Sequence, residues 1–178
     1  MQADRAFLVL GLASFALATT ASAGQVYDLG RPATPDEIAR WNIDIDPAGA
    51  GLPPGAGSVR EGAAVYARRC AACHGDRGQG GPMDRLAGGA GTIGTSKPVK
   101  TVGSFWPYAT TLYDYVRRAM PFDAPQSLSP ADVYAVCAYV LFLNGLVTED
   151  AVLDARSLLQ VRMPNQHAFV SGYPSGSP

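Results

Sequence analysis

One short motif, Cys70-Ala71-Ala72-Cys73-His74, constrains this chain more than any other feature. Good helix formers run up to Arg69, so the motif continues a predicted helix and its two thiols lie one turn apart. In a Cys-x-x-Cys-His sequence the thiols add across the two vinyl groups of a haem, and the adjacent imidazole donates a nitrogen to the iron. The motif therefore predicts one haem c, attached through Cys70 and Cys73, with His74 as an axial ligand.

Two other uses of the same motif fit the rest of the chain less well. A structural zinc site needs four ligands, and the only other Cys and His are Cys137 and His167, which are far apart in sequence. A redox dithiol usually follows a strand of a βαβ unit, and no such unit is visible. Both alternatives rank below haem.

Charge and length limit the partners. The chain has 178 residues, with 14 Lys and Arg against 15 Asp and Glu and a formal net charge of -1. This balance argues against a polycationic surface, so nucleic acid is not an expected partner. The length suits one domain with an extension, and the 20 Gly and 14 Pro indicate long ordered loops around a small helical core.

Residues 1–23 are predicted to be an export signal. A short polar start precedes an apolar run over residues 6–18, and Ala21-Ser22-Ala23 has the form of a cleavage site. An uncleaved membrane anchor is the alternative, although the run is shorter than a bilayer span. No later segment is long and apolar enough to cross a membrane, so a periplasmic protein is expected after removal of the signal.

Residues 24–57 are predicted to be an N-terminal arm rich in Pro and Gly. A short helix is indicated by a cap, a first-turn proline and a capping-box acid, namely Thr34, Pro35 and Glu37. After it, Trp41, Ile43 and Ile45 alternate with polar residues, which predicts an extended segment against an apolar surface. That surface could belong to the same domain or to a partner.

The main domain is predicted over residues 58–147, with three helices and no sheet. The first begins at a capping box, Ser58 to Glu61, and runs to Arg69. The second covers residues 110–119, and the third begins at Ser129-Pro130 and runs through Leu143. Residues 148–178 are predicted to be a C-terminal extension, irregular from Met163 and disordered over residues 171–178.

The sixth position of the iron decides whether the site binds small molecules or only exchanges electrons. Met120 is the preferred ligand, because it follows the second helix and Pro121 stops that helix. Its position alone also fits a core residue. The other candidates are Met83, Met163 and His167.

The chain resembles the class I c-type cytochromes. The resemblance rests on Gly62, Tyr66, the haem motif, Ala119-Met120-Pro121-Phe122, Ala138-Tyr139-Val140 and Leu143-Asn144. It implies an all-α class I cytochrome c fold in which the first and last helices cross, with Gly62 and Tyr66 meeting the helix around Tyr139. It also implies that Met120 is the second axial ligand.

A narrower resemblance includes the loops and the arm. The chain is similar to the cytochrome subunit of Sox-type sulfur dehydrogenases in the segments GRPAT (30–34), WNID (41–44), GLP (51–53), KPVKTVGSFWPY (97–108) and YVRRAMPF (115–122). In that family a molybdenum-cofactor subunit oxidises the sulfur atom of a sulfane or sulfite substrate, and the cytochrome subunit takes the electrons. Long members carry a second Cys-x-x-Cys-His unit, which this chain lacks.

Some polar and aromatic residues admit both a functional and a structural role. Trp106 and Tyr108 are candidates to hydrogen-bond a haem propionate, although an aromatic pair beside a proline is often packing. Arg117 and Arg118 diverge on their helix, so one of them, with Arg117 the preferred candidate, could neutralise a propionate while the other faces solvent or a partner. Lys97 and Lys100 could steer docking, but a solvated loop explains them better. Cys137, on the apolar face of the third helix, is predicted to be a buried free thiol.

The predicted function is single-electron transfer from a molybdenum dehydrogenase to another c-type cytochrome or a terminal oxidase. The sequence shows no array of acid, base and nucleophile, so the protein is not expected to be an enzyme alone. The alternatives are a general soluble electron shuttle and a haem enzyme or gas sensor with an open sixth position.

Overall fold

The structure is a computed structural model that describes residues 29–170 and residue 172. The chain divides into two units, Met1–Thr34 and Pro35–Pro178. The described residues of the first unit, 29–34, form neither helix nor strand. The predicted signal segment lies outside the described residues, as does all of 171–178 except Gly172. None of the helices in the described part of the chain is long and apolar enough to span a bilayer.

The second unit is mostly helical. Its elements in chain order are α1 (Pro35–Trp41), β1 (Ala56–Ser58), α2 (Val59–Arg69), α3 (Ala71–His74), α4 (Val102–Phe105), α5 (Ala109–Ala119), α6 (Pro130–Leu143), β2 (Val152–Asp154) and a 3-10 turn (Leu158–Gln160). The prediction of a mainly helical fold is confirmed. The prediction of no sheet is wrong, because β1 and β2 pair antiparallel with Gly57 opposite Leu153. Strands of three residues are too short to show an alternating pattern.

Side-chain caps mark where α2 and α6 begin. The Ser58 side chain accepts a hydrogen bond from the Glu61 N–H at 3.2 Å, and the Glu61 carboxylate accepts from the Ser58 N–H at 2.8 Å. The hydrogen bonds that the Ser58 N–H and hydroxyl donate to the Glu61 carboxylate lower the pKa of that group. At α6, the Ser129 hydroxyl accepts from the Asp132 N–H at 3.1 Å. The predicted starts of both helices are therefore confirmed, and each start satisfies N–H groups that the helix itself leaves free.

The first and last long helices cross in close contact. A Cβ atom placed on Gly62 would lie 1.8 Å from the Ala135 carbonyl oxygen, so only glycine allows this approach. Nearby, the rings of Tyr66 and Tyr139 pack with centroids 5.2 Å apart. The crossing implied by the family resemblance is thus present, with α5 packed beside it through the Tyr113 and Tyr134 rings at 4.4 Å.

The arm from α1 to β1 lies partly on its own domain. Trp41 is the last residue of α1 and is 87% exposed, so the extended segment predicted from Trp41 onward is wrong at its first residue. Ile45 is buried in the core, and its N–H donates to the Asp114 carboxylate at 3.1 Å. Further along, the Tyr134 hydroxyl donates to the Pro53 carbonyl at 2.9 Å. Residues 43–53 therefore pack against α5 and α6.

The C-terminal extension also packs on the helices. Leu153, Leu158 and Met163 are buried members of the core. The Asn165 amide nitrogen donates to the Phe105 carbonyl at 2.7 Å. From Met163 the chain forms turns and irregular backbone, as predicted.

Candidate haem site

Cys70 marks the junction between two helices. It is the C-cap of α2 and the N-cap of the single turn α3, and its carbonyl accepts from the Cys73 N–H at 3.1 Å and the His74 N–H at 3.0 Å. Both thiols of the motif are free, with Cys70 half-buried and Cys73 exposed. The turn therefore carries two thiols and an imidazole on one short piece of backbone.

The two thiols differ in their surroundings. Burial raises the pKa of the Cys70 thiol to about 11, against a smaller lowering by the Arg69 guanidinium. The unmodified Cys70 side chain is therefore a neutral thiol at physiological pH, packed against the core.

The His74 ring is oriented by a backbone carbonyl. Its Nδ1 atom lies 2.7 Å from the Asp84 carbonyl oxygen, which can only accept, so Nδ1 carries the proton. This leaves the Nε2 lone pair free to bind a metal. Metal-binding histidines typically donate their other ring N–H to such a carbonyl, so the residues present fit an iron ligand.

The loop that supplies the Asp84 carbonyl is held by local hydrogen bonds. The Gly80 N–H donates to the His74 carbonyl at 2.8 Å, and the Met83 N–H donates to the Cys73 carbonyl at 3.0 Å. The Tyr66 hydroxyl donates to the Gly75 carbonyl at 2.9 Å, and burial raises the pKa of Tyr66 to about 12. These hydrogen bonds thus hold the loop against the haem motif.

Asn144 ties the same loop to the end of α6. Its amide nitrogen donates to the Leu86 carbonyl at 3.1 Å and to the Val140 carbonyl at 2.8 Å. Its amide oxygen accepts from the Gly88 N–H at 3.2 Å. In the sequence, Asn144 appeared only in the Leu143-Asn144 pair of the family resemblance. The Asp84 carbonyl could not be predicted, because a main-chain group has no residue signature.

Met120 lies where α5 ends. It is the C-cap, with extended backbone, and its N–H donates to the Val116 carbonyl at 3.1 Å. Its side chain is half-buried, Pro121 behind it is buried, and Phe122 is 80% exposed. The predicted helix end before Pro121 is confirmed.

The remaining candidates for the sixth ligand lie in different settings. Met83 is 51% exposed in the loop after the motif. Met163 is buried in the hydrophobic core, where a thioether is a common packing group. His167 is exposed in the C-terminal extension.

The residues predicted to bind the haem propionates lie against other parts of the protein in this structure. Trp106 packs edge-to-face on Tyr115 with ring centroids 5.7 Å apart. Tyr108 lines a cleft of about 70 Å³ that also includes Pro47 and Leu158. The Arg117 guanidinium donates to the Ile43 carbonyl of the arm at 3.3 Å.

A zinc site has no support in the described residues. Among residues 29–170 and 172, no three His, Cys, Asp or Glu side chains come together as metal ligands would.

Cys137 is completely buried, as predicted, and this burial raises the pKa of its thiol. The Lys100 ammonium group lies 4.8 Å from the centre of the Phe105 ring.

Comparison with known proteins agrees with the geometry. Residues 57–140 match the family model described as "Cytochrome C oxidase, cbb3-type, subunit III". A chain in the crystal structure of the sulfane dehydrogenase SoxCD from Paracoccus pantotrophus is 47% identical, with a TM-score of 0.74, and the match covers 85% of this chain and 73% of that chain. The chain belongs to the Sox-type c-type cytochromes.

A second relative of this c-type cytochrome matches over a shorter length. The thiosulfate dehydrogenase of Stutzerimonas stutzeri strain A1501 is 33% identical over 90 residues, which is 49% of this chain and 28% of that protein. The cytochrome thus spans little more than a quarter of that relative. Membership of the family implies haem c as the cofactor.

Proposed function

We propose that this c-type cytochrome is a periplasmic, mono-haem electron-transfer subunit that accepts single electrons from a molybdenum sulfur dehydrogenase. The observation that carries electron transfer is the His74 imidazole, which the Asp84 carbonyl holds with Nε2 free beside two unpaired thiols. The likeness to a chain of SoxCD supports the kind of partner.

Each residue of the motif has a distinct proposed role. The thiols of Cys70 and Cys73 tether the haem, and His74 supplies one axial nitrogen. Bound haem supplies an iron that alternates between the ferric and ferrous states. The Asp84 carbonyl keeps the imidazole in one tautomer and one orientation, which limits reorganisation when the charge on the site changes.

Met120 is the proposed second axial ligand. A thioether is a soft ligand that favours ferrous iron and raises the reduction potential, which suits an acceptor of electrons. With haem bound, the Met120 thioether would keep oxygen and peroxide from the iron, so the protein would transfer electrons rather than act as a haem enzyme. The propionate contacts of Trp106, Tyr108 and Arg117 stay predictions.

The proposed electron path runs between two proteins. The donor is a molybdenum-cofactor subunit that oxidises a sulfane or sulfite sulfur, and the acceptor is another c-type cytochrome or a terminal oxidase. The cytochrome supplies no catalytic groups to the sulfur chemistry. We also propose that residues 1–23 direct export and are removed, so the mature protein is expected to begin at Gly24.

Stopped-flow absorbance tests the donor. The ferric, haem-loaded cytochrome is mixed with the molybdenum dehydrogenase, and sulfite or a sulfane-sulfur substrate is added last. Rapid reduction that requires both enzyme and substrate is the expected result. A cytochrome that dithionite reduces but the complete dehydrogenase mixture does not would refute this donor.

Carbon monoxide binding tests the ligand. Met120→Ala is expected to open the ferrous iron to carbon monoxide, whereas Met83→Ala, which removes an exposed thioether from the loop after the motif, leaves it closed. If Met120→Ala still excluded the gas and kept the wild-type spectrum, Met120 would not be the ligand.

A further inference from the structure

Three consecutive residues of the arm hold the C-terminal half of α5. We call residues 43–45 the arm strap. The Ile45 N–H donates to the Asp114 carboxylate at 3.1 Å, and the Arg117 guanidinium donates to the Ile43 carbonyl at 3.3 Å. The Arg118 guanidinium contacts the Asp44 carboxylate at 3.1 Å. Every residue of the strap thus has a polar contact with this helix.

Asp114 is the centre of these contacts. Its side chain is buried, with 8% of the residue exposed, and one carboxylate oxygen accepts from Ile45. The other oxygen accepts from the Arg118 guanidinium at 2.5 Å. A buried carboxylate that loses its partners is strongly destabilising, so the strap and the last turns of α5 hold each other in place.

The turn held in this way is the one that presents Met120. Arg117 and Arg118 lie in the last turn of α5, and Met120 caps that turn through its hydrogen bond to the Val116 carbonyl. A shift of the last turn therefore moves the Met120 backbone directly. Buried Pro121 follows, so the chain cannot absorb such a shift by continuing the helix.

We propose that the arm strap positions Met120 and that Asp114 is the positioning residue. The strap then sets how firmly the thioether holds the sixth position of the iron. This inference rests on the proposed role of Met120 as axial ligand. It assigns the arm a part in tuning the site, in addition to covering the core.

The test uses the full haem-loaded chain with a conservative change, Asp114→Asn. The amide keeps the size of the carboxylate but removes the negative charge that pairs with the Arg118 guanidinium. Its NH2 group also cannot accept a hydrogen bond, so one of the two donors, the Ile45 N–H or Arg118, loses its acceptor. Asp154→Asn is the matched control, because its carboxylate accepts three hydrogen bonds in and after β2, away from α5. Imidazole, a ligand that competes with the thioether, is titrated into the ferric protein.

Asp114→Asn is expected to bind imidazole about tenfold more tightly than the wild type, since a weaker thioether bond is easier to displace. Its thioether-to-ferric absorption band weakens and its reduction potential falls. Asp154→Asn keeps the wild-type affinity, band and potential even if its thermal stability drops. Arg118→Gln, at a side chain that is 46% exposed, tests the same contact if Asp114→Asn does not load haem.

Two results would overturn the inference and can be told apart. If Asp114→Asn and Arg118→Gln matched Asp154→Asn in imidazole affinity and potential while Met120→Ala lost the absorption band, the strap would have only a structural role. If Met120→Ala kept the wild-type band, the ligand assignment itself would fail, and the positioning role would fail with it.

Discussion

The His74 side and the Met120 side of the candidate haem site are held by contacts of very different range. The His74 ring contacts the Asp84 carbonyl 10 residues away, and the Tyr66 hydroxyl reaches the Gly75 carbonyl 9 residues away. On the other side, Ile45 and Asp114 are 69 residues apart in sequence, and Ile43 and Arg117 are 74 apart. The His74 ring is thus oriented from within its own segment, whereas the turn that carries Met120 is held by the arm.

This difference has a physical consequence. Closing a short loop costs less chain entropy than joining distant segments, and long-range contacts form only as the whole domain folds. The His74 side should therefore persist when tertiary packing is weakened, and the Met120 side should open first. Substitutions that act on one side alone can test this order.

The largest expected effect comes from Gly51, in the turn that follows the arm strap. A Cβ atom there would lie 2.1 Å from the Asp44 carbonyl oxygen, at a φ of +90°. Gly51→Val should lower the free energy of unfolding by about 3 kcal/mol, through overpacking and backbone strain. Urea unfolding of the haem-loaded protein measures this loss, and the ferrous form should gain carbon monoxide binding while His74 stays ligated.

Gly91→Val is the control for strain alone. Gly91 has a φ of +75°, but a Cβ atom on it would meet no atom within 4 Å. We expect a loss of about 1 kcal/mol and no carbon monoxide binding. Loss of His74 ligation in Gly51→Val before the sixth position opens would contradict the proposed order.

A smaller effect is expected at Asn144, a distant contact of the His74 side. Asn144→Ala removes the donor to the Leu86 carbonyl and the acceptor for the Gly88 N–H, at a cost of about 2 kcal/mol. Hydrogen exchange at the Gly88 amide should quicken, and the potential should change less than in Asp114→Asn. Asn144→Asp, which keeps the acceptor, should preserve slow exchange at Gly88. Rapid exchange in that variant would show that the hydrogen bond to residue 144 does not protect the Gly88 amide.

The smallest effect is expected at the hydroxyl that joins α6 to the arm. Tyr134→Phe removes the hydrogen bond to the Pro53 carbonyl and should cost about 1 kcal/mol at neutral pH. Thermal unfolding measures this cost.

The pH dependence of Tyr134→Phe sharpens the test. Burial raises the pKa of Tyr134 to about 12, whereas an unfolded tyrosine has a pKa near 10. Between these values the unfolded phenol loses its proton and the folded one keeps it, so stability present below pH ~10 is lost as the pH rises to about 12. Tyr134→Phe should show a shallower alkaline decline, and an unchanged slope would show that Tyr134 does not titrate on unfolding.

Features that depend on neighbouring residues were predicted correctly. The caps at Ser58 and Ser129 and the helix end before Met120 follow from hydrogen bonds and dihedral limits within a few residues. The β1–β2 pair was not predicted, and Trp41 proved to belong to α1. A three-residue strand depends on pairing with a distant segment more than on its own composition. In α1 no residue is buried and Trp41 is 87% exposed, so the alternation of apolar residues from Trp41 did not reflect burial at that residue.

The sequence by itself determined the candidate chemistry, because a Cys-x-x-Cys-His turn needs no distant residue to bring two thiols and an imidazole together. Tertiary structure decided which atoms support that turn and what holds Met120. The Asp84 carbonyl is a main-chain group whose residue type carries no signal, and Asp114 meets Ile45 only when segments 69 residues apart are folded together. Contacts of that range are set by the packing of the whole domain, which no local pattern encodes.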